Sequence, residues 1–253
     1  MIIDAHAHLG FDEVFDHDFT EADLVAGQEA NGIAASLVQP GTCHALEGVR
    51  RQHDAIADLG SRQPGRFFGI ANPNPHLPAR EYDAEVRRCV EGMGFLGVKI
   101  HPAAHAMNPL GRAAGHVFAL AREMGLPVMV HTGAGIPWAA PSLLGPVAAA
   151  HADLKIVAAH AGMMVLAGEA GILAAEHANV YLECSWTPGF KVAGWVKSLG
   201  PQRVLFGSDH AENAATELAK FRTCGLSEEE LDWTLGRAAA AVFNLPAGGC
   251  CLA

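Results

Sequence analysis

Short runs of β-branched and other apolar residues recur about every 30 residues along the chain, each followed by a stretch whose apolar positions have helical spacing. The runs 2–8, 33–39, 66–71, 95–101, 127–132, 155–160, 180–184 and 204–209 read as strands. Segments 21–30, 84–91, 113–124 and 169–177, rich in Ala, Glu and Leu, read as helices. Thr20-Glu-Ala-Asp23 and Ser227-Glu-Glu-Glu230 carry helix-start capping signals. Asn31-Gly32 and Met124-Gly125 read as helix stops placed directly before the next strand.

Eight strands alternating with about eight helices define an α/β chain with a parallel sheet and helical crossovers. At this length the count favours a distorted, TIM-like (β/α)8 barrel over an open doubly wound sheet. No Gly-x-Gly-x-x-Gly follows the first strand and no phosphate-binding loop occurs, so nucleotide readings lose support. Residues 1–247 read as a single domain and 248–253 as a short tail.

Composition narrows the partners. Hydrophobic residues make up 50% of the chain and charged ones only 17%, enough apolar material for a large core. The net charge of −10 argues against a nucleic-acid or anionic-membrane partner, while a local positive pocket still admits an anionic substrate. A strand beginning at Ile2 leaves no room for a signal peptide. The six cysteines show no Cys-x-x-Cys spacing, so a reduced, cytoplasmic protein is expected.

The chemistry lies at the predicted strand ends. His6 and His8 are two apart on the first strand and therefore share a face. Two imidazoles so placed chelate a transition metal, and Asp209 of Gly207-Ser-Asp-His210 is a carboxylate to close the site if the chain's ends meet. Lys99 and His101 share a face of the fourth strand. His131 and His160 end the fifth and sixth, and Glu183 lies on the seventh. Active sites of barrels form at this rim. His160 is suited to polarising a carbonyl or to acid–base work. Lys99 paired with Glu183 would instead be structural. His101 lines the pocket or packs. His210 points away from Asp209 by strand alternation, unless a loop turns it inward. Trp138 and Trp186 (the latter with Phe190) lie in loops over the rim, placed to stack on a planar substrate or to cap the barrel.

Asp4-x-His6-x-His8, Gly97-Val-Lys-Ile-His-Pro102, Val130-His-Thr-Gly133, Ala159-His-Ala-Gly162 and Phe206-Gly-Ser-Asp209 together resemble the amidohydrolase superfamily. The resemblance is to its amidohydrolase-related branch, which includes aminocarboxymuconate-semialdehyde decarboxylase-like enzymes, and it spans nearly the whole chain. It implies His6, His8, His131 and Asp209 as metal ligands, Asp209 also as base, and His160 as catalytic histidine. In binuclear members a lysine in the place of Lys99 bridges two ions, with His160 on the second. In mononuclear members Lys99 would bind substrate or support the site. One ion is favoured over two. Zn²⁺ is expected first, with Mn²⁺, Fe²⁺ or Co²⁺ also suited to these donors.

The expected activity is metal-dependent hydrolysis of a small-molecule amide, lactone or ester through a metal-activated water. The alternative is metal-dependent, non-oxidative decarboxylation of an unsaturated or aromatic acid, whose carboxylate Lys99 or Arg112 would anchor. A non-catalytic metal- or ligand-binding barrel is the third reading. The substrate is expected to be a small molecule, with a carboxylate compatible with the site. The apolar helices leave room for a homodimer.

Overall fold

The computed structural model describes residues 1–133 and 137–245; the anticipated tail, 248–253, lies outside them. Nine strands are described: β1 (Ile2–Asp12), β2 (His17–Phe19), β3 (Ile33–Pro40), β4 (Phe67–Gly69), β5 (Val98–Ile100), β6 (Val128–His131), β7 (Ile156–Ala159), β8 (Val180–Glu183) and β9 (Val204–Leu205). All pair in parallel except β2, which folds back on the end of β1 as an antiparallel hairpin.

The ladders form two sheets, β2-β1-β3-β4 and β5-β6-β7-β8-β9. Single backbone hydrogen bonds cross both seams. On one side Leu96 N–H donates to Gly69 O and Lys99 N–H to Ala71 O; on the other, Ala5 N–H donates to Phe206 O and Asp209 N–H to His6 O. The eight parallel strands thus make the expected (β/α)8 arrangement, distorted in that no continuous ladder spans the seams.

A helix follows each parallel strand: α1 (Glu21–Asn31), α2 (Leu46–Arg62), α3 (Ala79–Arg87), α4 (Arg112–Glu123), α5 (Gly145–Ala150), α6 (Ala167–Glu176), α7 (Gly189–Leu199) and α8 (Ala214–Thr223). Two more, α9 (Glu228–Asp232) and α10 (Ala238–Phe243), finish the described chain. Local chemistry sets several ends. Thr20 accepts a hydrogen bond from Asp23 N–H at the start of α1, and Ser227 with Glu230 forms a full capping box on α9. Gly32 closes α1 at φ 66°, a conformation that favours glycine.

Strand alternation divides the core. Val128, Val130, Ile156, Ala158, Val180 and Leu182 pack outward against the helices. Ile3, Ala5, Leu37, Met129, Val157 and Leu205 fill the interior and meet Ala238, Ala239, Val242 and Phe243 of α10. Lys155 Nζ donates to Ala241 O and Val242 O at the end of that helix. The last helix therefore closes the N-terminal end of the barrel, leaving the C-terminal rim for chemistry.

The structure departs from the predicted elements in two places. The strand expected over 204–209 ends at Leu205: Phe206 N–H donates to Thr234 O instead of continuing the ladder, and Asp209 beyond it adopts φ 63°, a left-handed conformation. The hairpin strand β2 was not expected; at three residues it is too short to show alternation.

Candidate active site

β1 carries one extra residue against β3: Asp4 pairs with Ser36, and Ala7, three residues on, pairs with Val38. Such a bulge re-aims side chains where a strand meets a site. Asp4, fully buried beside it, accepts hydrogen bonds from His6 N–H (3.0 Å), Ser208 N–H (2.9 Å) and Ser208 Oγ (2.5 Å). It thereby ties the first strand to the segment that carries Asp209. Burial raises the Asp4 carboxyl to about 7, against the opposing effect of the Ser208 hydrogen bonds.

His6 is held from behind. Its Nδ1–H donates to Glu183 Oε2 at 2.7 Å, which leaves a lone pair on Nε2. The same carboxylate accepts from His160 N–H (3.1 Å) and from the Ser185 hydroxyl (3.0 Å). Ser185 Oγ, already donating, accepts a hydrogen bond from His160 Nδ1–H at 2.7 Å. Glu183 thus fixes the tautomer of two imidazoles, one directly and one through a hydroxyl. The sequence reading missed this role. Its signal was an acidic residue at the end of an apolar strand. The structural alternative for Lys99, a pair with Glu183, is not formed among the described residues; Lys99 Nζ instead lies 3.0 Å from His6 Nε2.

Three donor atoms converge in front. His6 Nε2 lies 3.2 Å from His8 Nε2 and 3.2 Å from Asp209 Oδ1, and His8 Nε2 lies 3.3 Å from the same oxygen. Donors about 2.0–2.1 Å from a tetrahedral ion are separated by roughly 3.3–3.4 Å, so this triangle has the size of one face of such a site. The His6 lone pair also faces the Asp209 carboxylate oxygen, with Lys99 Nζ 3.0 Å from the same nitrogen, a donor set suited to a cation. The residues present fit a divalent metal. A nitrogen of His160 belongs to the same group, within 4.8 Å of donor atoms of His6 and Asp209.

His131 is placed differently. Its ring stacks on His101 at 4.0 Å and meets His160 edge-on at 4.8 Å; it lines the cavity without joining that tight donor group. Burial holds His6, His101 and His131 well below the ordinary imidazole value and takes His160 down to about 3, so all four are neutral near pH 7. Burial also lowers Lys99 to about 8, against the pull of Asp209 and Glu183. For Asp209, burial acts upward, but it is outweighed by the surrounding imidazoles, His8 among them as a hydrogen-bond donor, and the carboxyl is held well below its ordinary value. Its other oxygen, Oδ2, accepts from Trp186 Nε1 at 2.8 Å.

These groups floor a cavity of about 430 Å³. Phe15, His17 and Phe19 of the β1–β2 hairpin, with Met163, Trp186 and His210, form its walls. The hairpin wall was not anticipated. His210 faces inward because the left-handed turn at Asp209 breaks strand alternation. Trp138, expected to stack on substrate or to cap the barrel, is exposed and is not among the residues that line this cavity. Arg112 lines a separate cavity with His76, Met107 and His116 and is no anchor for this one. Trp186 does line the cavity, whereas Phe190 is exposed.

Among the described residues no helix is long and apolar enough to cross a membrane. The family model for amidohydrolases matches residues 3–245. No curated protein is detectably similar to the chain. Among solved structures, 5-carboxyvanillate decarboxylase from Sphingomonas paucimobilis is similar at TM-score 0.73 and 15% identity, over 97% of this chain and 99% of that one. The 2,6-dihydroxybenzoate decarboxylase from Rhizobium is similar at TM-score 0.76 and 16% identity, over 96% and 98%. A probable 2-pyrone-4,6-dicarboxylic acid hydrolase from Acinetobacter baumannii is similar at TM-score 0.67 and 13% identity, over 96% and 99%.

Proposed function

Because the chain belongs to the amidohydrolase family, we propose that it is a metal-dependent hydrolase of a small-molecule amide, lactone or ester, with its centre at the C-terminal rim of the barrel. Family members generally use a divalent metal. The single observation that carries the reading is the triangle of His6 Nε2, His8 Nε2 and Asp209 Oδ1, with the His160 lone pair beside it. His6, His8 and Asp209 would hold one ion, most simply Zn²⁺, and His131 or His160 would supply a further donor. The bound ion would supply Lewis acidity and would make a water acidic enough to attack near neutral pH.

The side chains do the rest. Asp209, ionised and kept in place by the Trp186 indole, takes the proton of the attacking water. His160 has its Nδ1–H committed to Ser185, so its Nε2 is free to take that proton from Asp209 and pass it to the leaving group. In this tautomer it does not polarise a carbonyl by donating from Nε2. Lys99 is the one lysine or arginine lining the cavity among the described residues, and it offsets negative charge developing on the substrate oxygen. Phe15, Phe19 and Trp186 flank a planar group and exclude water.

A second reading, non-oxidative decarboxylation of an unsaturated or aromatic acid, is favoured by one feature: a buried ammonium, Lys99, in a cavity walled by aromatic rings. The fold is that of two decarboxylases as well as of a hydrolase. Metal-stripped protein is reconstituted with Zn²⁺, Mn²⁺ or Co²⁺ and given a panel of lactones, esters, amides and aromatic carboxylates. Metal-dependent ring opening or acid release without CO₂ is the expected result. CO₂ release would transfer the assignment to the second reading, and full activity of metal-free protein would overturn both.

A further inference from the structure

A second set of donors gathers at the cavity mouth, outside the His6–His8–Asp209 group. One nitrogen each from His17 and His210 and one carboxylate oxygen of Glu212 lie within 4.8 Å of one another. We propose that these three side chains form a second divalent-metal site, selective for borderline ions such as Zn²⁺ and Co²⁺, whose occupancy ties the β1–β2 hairpin to the turn after β9 across the cavity mouth.

The elements that carry these residues hold them ready. Pairing of Asp12 with His17 and of Gly10 with Phe19 fixes the hairpin, and His17 with it. The His17 ring packs on Phe19 at 4.3 Å and on His210 at 5.1 Å. His210 is further boxed edge-on by Phe19 at 5.0 Å and Trp186 at 5.8 Å. Rings already confined lose little freedom when they bind an ion. Two imidazoles and one carboxylate are a borderline donor set, and the partly exposed position leaves water to complete the coordination.

His210 spans two carboxylates: Nδ1 is 3.2 Å from Glu212 Oε1, and Nε2 is 3.6 Å from Asp209 Oδ2. An ion taken on the Glu212 side places the ring proton on Nε2, facing Asp209. Filling the rim site fastens the hairpin to the turn after β9 across the cavity mouth and so slows passage of substrate and product.

The test is equilibrium dialysis of purified protein against rising Zn²⁺, repeated with Co²⁺, with bound metal quantified. Wild type is expected to take a further, weaker equivalent that His17→Ala and Glu212→Gln lack while both retain the tighter one. His8→Ala is expected to lose the tighter equivalent and keep the weaker, so the two sites fail separately. Turnover of wild type falls as the weaker equivalent fills, and that of Glu212→Gln does not respond. A wild type that stops at one equivalent into the millimolar range overturns the proposal. So does a second equivalent that survives in the His17→Ala/Glu212→Gln double variant, or one abolished by Lys99→Met with His17 intact.

Discussion

The Nδ1 of His6 is 2.7 Å from Oε2 of Glu183, and this one contact decides which nitrogen of the imidazole faces the cavity. Because Glu183 also receives His160 N–H and the Ser185 hydroxyl that orients the His160 ring, a single carboxylate sets two of the converging donors. Glu183→Gln keeps the size of the side chain but removes the charge that fixes both tautomers. Its metal affinity is expected to fall about 10- to 100-fold, read by competition with a chelator, with the fold intact by circular dichroism.

Asp209 combines a ligand position with that of the base. Asp209→Asn is expected to cut kcat by about 10²- to 10⁴-fold, the usual worth of a positioned proton acceptor. His6 and His8 should retain a weakened metal. Paired measurement of kcat and metal content checks this; a variant that turns over at the wild-type rate with its metal in place would remove Asp209 from the mechanism.

Gly207 has no room for a side chain. A Cβ there would come 2.5 Å from Glu183 Oε1 and 2.9 Å from His6 Cβ, both packed groups that cannot swing away. Gly207→Ala is therefore expected to split the His6–Glu183 pair and depress bound metal more than it depresses Tm. Metal content alongside calorimetry separates these effects.

Away from the rim, His53 donates from Nδ1 to Glu85 Oε1 at 2.7 Å and accepts from Asn72 N–H at 3.1 Å, joining α2, α3 and the end of β4. Arg50 and Arg88 complete the network on Glu85. Burial, partly opposed by Glu85, lowers the His53 imidazole below its ordinary 6.5. Its contribution is complete above pH 6.5 and is lost as pH falls, because only the unfolded chain then takes the proton. Burial works against the Glu85 carboxylate, but hydrogen bonds from His53, Arg88 and Arg50 outweigh it and hold Glu85 well below 4.5. That stability is present above pH 4.5 and drains below it. Wild-type stability is thus expected to decline from about pH 6.5 and more steeply below 4.5. His53→Gln should be less stable at pH 7 by about 1–3 kcal/mol, with a flatter profile between pH 7 and 5. Parallel denaturation curves for the two proteins would contradict this.

The barrel was legible because each parallel strand announces itself by apolar content and each helix by its spacing and caps; Gly32 and Thr20 act where the pattern put them. His6 and His8 were legible for the same reason, since alternation alone puts them on one face. What escaped were features fixed by tertiary contact. The partner of Lys99 depended on which imidazole leaned toward it, and nothing local to Lys99 states that. His160 and Asp209 both sit at positive φ, 62° and 63°, conformations that a strand pattern cannot foretell and that cost of order 1–3 kcal/mol each. The inward turn of His210 follows directly from the second of these. The hairpin wall escaped because His17-Asp-Phe19 has no period to read.

α10 closes the barrel from below, while Asp209 completes the donor triangle above, and both come late in the chain. His6 and His8 lie some two hundred residues before the oxygen that joins them and the helix that seals the interior beneath them. Both the donor triangle and the sealed interior therefore depend on the one stretch from Asp209 to Phe243, and a chain cut before Asp209 would have neither.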